Sequence, residues 1–128
     1  MALKITLKPN ERMIIGGAVI TNGKSRCEFF IENKVPVLRQ KEILGQKEAN
    51  TPGQRIYFTI QLMYIDEGNL AVHHQLYWQL VKDYIHAAPR MLGVVDQINE
   101  HILNGRYYQA LKLAKKLIQH EQEVIDRV

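Results

Sequence analysis

One cysteine, one serine and no long apolar run are the first things the sequence shows, and each shortage removes a class of protein. Cys27 alone cannot form an internal disulfide, which suits a reducing cytoplasm and leaves the thiol to act as a small buried hydrophobe. The lone serine, Ser25, stands beside a turn and lacks the glycine setting of a hydrolase nucleophile. No stretch approaches the ~20 apolar residues of a membrane span. The N-terminus also lacks an apolar secretion segment, so neither membrane association nor export is expected. His73, His74, His86, His101 and His120 are scattered over several helical segments and match no zinc-ligand spacing. Gly16-Gly17 is not followed by the residues of a phosphate loop and reads as a bulge or sharp turn. No catalytic residue, metal or cofactor is therefore expected.

What is present is lopsided. Residues 1–48 hold nine Lys or Arg against five Asp or Glu, whereas residues 49–128 hold eight of each, so the first segment carries the whole net charge of +4. That segment also reads as strands. Leu3, Ile5 and Leu7 alternate with Lys4, Thr6 and Lys8, the period of a strand with one wet face. Pro9-Asn10 breaks it, and Met13 to Ile15 is a second apolar run. Asn22-Gly23 suits a tight type I′ turn, which predicts a hairpin between Ala18–Thr21 and Arg26–Ile31. Val35 to Arg39 is the last strand, and Pro36 confines it to an edge or a bulge. The only aromatics here are Phe29 and Phe30, on opposite faces, so no stacking platform for bases is evident.

The remainder reads as helices. Thr51, Pro52 and Gln54 form a start signal with a capping box, followed by Ile56, Ile60, Met63 and Tyr64 on one face. A longer amphipathic pattern runs from Leu70 to Ile85 and is stopped by Pro89. Met91, Val94, Val95, Ile98 and Ile102 mark a third helix, capped by Asn104-Gly105. The fourth buries Leu111, Ala114, Ile118 and Ile125, with Lys112, Lys115 and Lys116 opposite. The expected architecture is α+β: a small antiparallel β module over 1–48, then a bundle of about four helices over 49–128, the two sharing a core.

A concentration of cations on strands points to an acidic partner such as nucleic acid. The candidate contacts are Lys4, Thr6, Lys8, Arg12, Lys24, Arg26, Arg39 and Lys41, which would grip phosphates while strand edges and arginines read bases. The alternative is a protein-interaction module working through Tyr57, Trp78 or Tyr108 on the helices. A homodimer is expected, because a small sheet with an open edge is completed by its twin.

The segments IIGGAVITNG, IENKVPVLR, RIYFTIQLMYID and INEHILNGRYYQALKLAKKLI together resemble the flagellar regulator family FlbT, over essentially the whole chain. The resemblance implies a cytoplasmic post-transcriptional regulator of flagellum biogenesis. It would associate with the 5′ untranslated region of flagellin mRNA and promote its degradation, alone or with a flagellar regulatory protein partner. The β part is also similar to the carbon storage regulator family of RNA-binding dimers, in Asn10 to Gly16 and Val37 to Ile43. That similarity implies an RNA surface at Lys4, Thr6 and Arg39, although the first strand here lacks that family's Thr-Arg pair.

Overall fold

The computed structural model describes residues 2–127. The fold is α+β, and the chain divides into two compact units, Met1–Ile43 and Leu44–Val128. Residues 44–48 thus lie with the helices, where the Gln61 side chain accepts from Leu44 N–H at 2.9 Å and donates to its carbonyl at 3.0 Å.

The first unit contains β1 (Leu3–Leu7), β2 (Arg12–Ile15), β3 (Ala18–Thr21), β4 (Cys27–Ile31) and β5 (Val37–Arg39). They form two antiparallel sheets, one of β1 and β4, the other ordered β3-β2-β5. The alternation expected in β1 holds for Ile5 and Leu7, while Leu3, at the strand's first position, is exposed; Ile5, Leu7 and Met13 form a core that Ile15, Ile20, Cys27, Phe29, Ile31 and Val37 cover. Phe29 packs inward whereas Phe30 is 58% exposed, as opposite faces require.

The expected hairpin between Ala18–Thr21 and Arg26–Ile31 does not form. β3 pairs with β2, with Ile15 opposite Ala18, and β4 pairs with β1, with Leu3 opposite Ile31. The tight turn lies instead at Gly16-Gly17, where φ is +57° and +89°, the mirror-image torsions a two-residue hairpin demands. Gly23 has no positive φ, so Asn22-Gly23 is no type I′ turn. Asn22 works through its side chain. Its Nδ2 donates to the carbonyls of Leu7, Lys8 and Ser25 at 3.2, 2.8 and 3.0 Å. Its Oδ1 accepts from Gly23 N–H at 2.9 Å and from the Cys27 thiol at 3.3 Å. One amide thereby ties the end of β1 to the start of β4. β5 is an edge strand beside β2, and Pro36 sits just before it, its carbonyl accepting from Gly16 N–H at 2.8 Å.

The second unit contains α1 (Pro52–Ile65), α2 (Leu70–Ala87), α3 (Leu92–Leu103) and α4 (Tyr107–Asp126). α1 packs on α2 and α4, and α3 on α4. The capping box is formed: Thr51 Oγ1 accepts from Gln54 N–H, and Gln54 Oε1 accepts from Thr51 N–H, both at 3.2 Å. Ile56, Ile60 and Met63 are fully buried, each contributing about 1.5–3 kcal/mol from apolar area removed from water. Gly105, at φ +72°, caps α3, and Arg106 N–H returns to the His101 carbonyl at 2.8 Å. On α4 the buried residues are Ala110, Leu111, Ala114 and Leu117. Ile118 is only partly buried and Ile125 is 59% exposed, contrary to the expected pattern: Leu117 takes the core position beside Ile118, and no residue of α4 after Leu117 is buried among the described residues.

Two polar devices fasten this unit. Glu121 of α4 accepts from the Thr51 hydroxyl at 2.6 Å and from Gly53 N–H at 2.8 Å, which places a carboxylate at the positive end of α1. The Tyr84 hydroxyl donates to the Leu117 carbonyl at 3.0 Å. Burial first, and the nearby Glu121 second, push the Tyr84 phenol up to about 12, so it keeps its proton and that bond at neutral pH. At the α1–α2 junction His73 is hydrogen bonded to Asp66 at 3.0 Å. That bond, with a second from Asn69, holds the Asp66 carboxyl below its ordinary value.

Candidate nucleic-acid interface

The unit Met1–Ile43 contains eight Lys or Arg and four Glu, whereas 44–128 contains nine basic and nine acidic residues. Within the first unit a cleft of about 1090 Å³ opens to solvent, lined by Thr6, Lys8, Pro9, Asn10, Glu11, Arg26, Arg39, Gln40 and Lys41. Thr6 comes from β1, Lys8 to Glu11 from the turn after it, Arg26 from the approach to β4, and Arg39 to Lys41 from the end of β5. Pairing β1 with β4, and β2 with β5, is what brings these distant segments together.

The cleft is built by backbone chemistry. Asn10 adopts φ +64°, a left-handed torsion asparagine tolerates, and donates its N–H to the Gly23 carbonyl at 2.9 Å. Glu11 closes the turn, its N–H on the Lys8 carbonyl at 3.1 Å and its Oε1 accepting from Lys8 N–H at 2.9 Å. On the opposite wall Gln40 Oε1 accepts from Arg12 N–H at 2.6 Å. Arg39 Nη2 donates to the Thr6 carbonyl at 3.0 Å and lies 3.8 Å from Glu11 Oε2. Lys8, Arg26 and Lys41 pair with no carboxylate within 4.0 Å among the described residues. Cations held close together without partners raise the local potential for an anion.

Of the eight residues singled out in the sequence, Thr6, Lys8, Arg26, Arg39 and Lys41 line this cleft. Lys4 does not: it faces Glu28 at 3.5 Å on the β1–β4 pair. Arg12 does not line it either: it is exposed and reaches the cleft only through its N–H on Gln40, and Lys24 lies on the exposed turn after Asn22. Sequence reasoning missed Pro9, Asn10, Glu11 and Gln40. Their only local signal is that they flank Lys8, Arg12 and Lys41, and an acid inside a basic stretch says nothing about where its carboxylate points.

On the helices, Tyr57 is 4% exposed and belongs to the core. Tyr108 stacks on Tyr64 at 5.6 Å with Lys112 over its ring. Trp78 is 38% exposed. Lys115 and Lys116 are exposed beside Lys112 on the outer face of α4. Among the described residues no group of three or more His, Cys, Asp or Glu could hold a metal ion, and no helix is long and apolar enough to cross a membrane.

These features define an α+β chain in which a basic, cleft-bearing β unit precedes a unit of four α-helices. The chain belongs to the FlbT family: the family described as flagellar protein FlbT matches residues 3–125. It is 44% identical, over 97% of its length and 85% of the relative's, to a protein of Bradyrhizobium diazoefficiens named a probable flagellum biosynthesis repressor protein FlbT 1. A probable repressor of the same name from Rhodopseudomonas palustris is 39% identical over 99% of this chain and 100% of its own. The flagellum biosynthesis repressor protein FlbT of Caulobacter vibrioides is 34% identical over 100% and 92%. No solved structure matches the chain.

Proposed function

We propose that this protein regulates flagellum biogenesis in the cytoplasm after transcription, associating through the β-unit cleft with an unpaired stretch of the 5′ untranslated region of flagellin mRNA and promoting that message's degradation. The names of its relatives support a repressor of flagellum biosynthesis. The observation that carries the RNA reading is the convergence of Lys8, Arg26, Arg39 and Lys41 from separate segments on one open cleft with hydrogen-bonding walls. Phosphates would be held by the lysines and Arg26, while Arg39, the cation with a fixed backbone anchor, would meet a base edge or a phosphate fork. No step in this role needs the protein to break a bond; decay follows when the leader is remodelled or a nuclease gains access.

The test is fluorescence anisotropy with a labelled flagellin leader at low and near-physiological salt, against a scrambled RNA. Leader-selective binding with a clear salt slope is expected, because phosphate contacts release counterions. Arg39→Ala should weaken it about tenfold with an unchanged circular dichroism spectrum, whereas Lys24→Ala, outside the cleft, should change it little. Equal affinity of the wild type and Arg39→Ala would remove the cleft from the reading.

The reading includes a homodimer, supported by the sheet edges: among the described residues the β1–β4 pair has no third strand, and β3 and β5 each have one neighbour. Light scattering at micromolar concentration should give twice the 14.9 kDa chain mass; the single mass would refute it. A second reading, a module binding a flagellar regulatory protein, is favoured by the exposed apolar residues Val72 and Leu76 one turn apart on α2. Binding to that partner unaffected by salt, with no selective RNA binding, would select it.

A further inference from the structure

We propose that Glu11 is a resident competitor in the cleft: its carboxylate, fixed by the backbone beside Arg39, occupies the charge of the guanidinium that an incoming phosphate would use and so sets the cleft's affinity. This rests on reading the cleft as a site for a phosphate-bearing strand.

Glu11 is the single acid among the cleft's lining residues. It has little freedom to leave. Its N–H donates to the Lys8 carbonyl, its carbonyl accepts from Asn22 N–H at 2.8 Å, and its Oε1 accepts from Lys8 N–H. Only Oε2 remains to face Arg39. The two partners are unequal: the Glu11 side chain is 19% exposed and that of Arg39 is 37% exposed.

The Arg39 contact itself is loose. At 3.8 Å from Nη2 it is beyond hydrogen-bond length, whereas the same nitrogen donates to the Thr6 carbonyl at 3.0 Å. Orientation of Arg39 therefore comes from Thr6, and Glu11 supplies charge without direction. A carboxylate needed only to close the Lys8 turn could as well be neutral, since that bond uses one carbonyl-type oxygen. The charge is what the turn does not require, and it stands where phosphates would approach. Lys8, Arg26 and Lys41 have no such partner, so the opposing charge acts at Arg39 and leaves the rest of the cleft attractive.

The test compares the full chain with Glu11→Gln, Arg39→Ala and the double variant, using tripolyphosphate and a single-stranded leader RNA as separate probes. Glutamine keeps the oxygen that accepts from Lys8 N–H and removes the charge; Glu11→Asn, with an amide oxygen one methylene shorter, is the second neutral variant should the first fold poorly. Amide and arginine side-chain NMR reads tripolyphosphate, and anisotropy reads RNA. Glu11→Gln should bind both about fivefold more tightly, the gain expected from one exposed ion-pair charge, with the RNA salt slope steeper by about 0.7. In the Arg39→Ala background the gain should vanish. Tighter tripolyphosphate binding with no RNA binding by any form would keep this inference and overturn the RNA reading. Unchanged or weaker tripolyphosphate binding by the neutral variants would overturn the inference whatever the RNA does, because Glu11 would then be a positioning residue. Absence of binding of either probe by the wild type and Glu11→Gln would overturn both.

Discussion

Replacing Asn22 by Asp should destabilise the β unit by about 2–4 kcal/mol, a larger loss than Asn22→Ala, at about 2 kcal/mol. The Asn22 amide donates to three carbonyl oxygens, of Leu7, Lys8 and Ser25. Alanine leaves those carbonyls to water, which can reach a half-buried position at moderate cost. Aspartate is worse because it fits: an ionised carboxylate of the same shape would present oxygen to three oxygens at about the same distances. Half of the side chain's work survives in Asn22→Asp, since Oδ1 still accepts from Gly23 N–H and Cys27, so the difference between the two variants isolates the donor side.

The readout must be local, because the single tryptophan, Trp78, lies in the helical unit. Hydrogen exchange in the full chain at the paired strands β1 and β4 should accelerate strongly in Asn22→Asp, with the amides of α1 and α4 less affected. Acidification should partly restore protection, as protonation gives the carboxyl one donor. If the cleft binds RNA as proposed, that binding should fall with it, since Asn22 N–H donates to the Glu11 carbonyl in the turn that bears Lys8. Wild-type exchange rates in Asn22→Asp would show that the amide carries no load.

The same residue marks the limit of what was legible in the sequence. Asn22-Gly23 and Gly16-Gly17 are both competent turn signals, and propensity cannot say which one closes a hairpin. The decision is non-local: β1 takes β4 as its partner across the whole of β2 and β3, which leaves β3 to β2 and gives Gly16-Gly17 the tight turn. The Thr51–Gln54 box and the Asn104-Gly105 cap read correctly, because there both hydrogen-bonding partners sit in one window and no distant strand has to be chosen. The site divides in the same way. A basic strand segment could be recognised from charge alone, yet only the pairing tells that Lys8, Arg26 and Arg39 converge while Lys4 turns to Glu28. Glu11 was invisible as a cleft-lining residue, since its placement is fixed by hydrogen bonds with Lys8 and Asn22.

In the helical unit Gly53→Ala should cost about 2 kcal/mol, although alanine favours helix by about 1 kcal/mol in a helix interior. The reason is space and not torsion, as Gly53 has no positive φ. A Cβ there would stand 2.5 Å from Glu121 Oε1 and 3.2 Å from the Leu117 carbonyl carbon. Side-chain oxygen can move, but Oε1 accepts from the Thr51 hydroxyl and its neighbour Oε2 from Gly53's own N–H, so moving the carboxylate strips α1 of its anionic cap. Backbone at Leu117 has less room to give, which adds overpacking strain. Glu121→Ala removes the cap without the clash and should cost about 1 kcal/mol. Combined, the two changes should cost much less than their sum, because the atom that Gly53→Ala displaces is already gone. Urea unfolding followed by Trp78 fluorescence measures all three. Additive losses would mean that the Leu117 backbone, and not the Glu121 carboxylate, is what reserves this position for glycine.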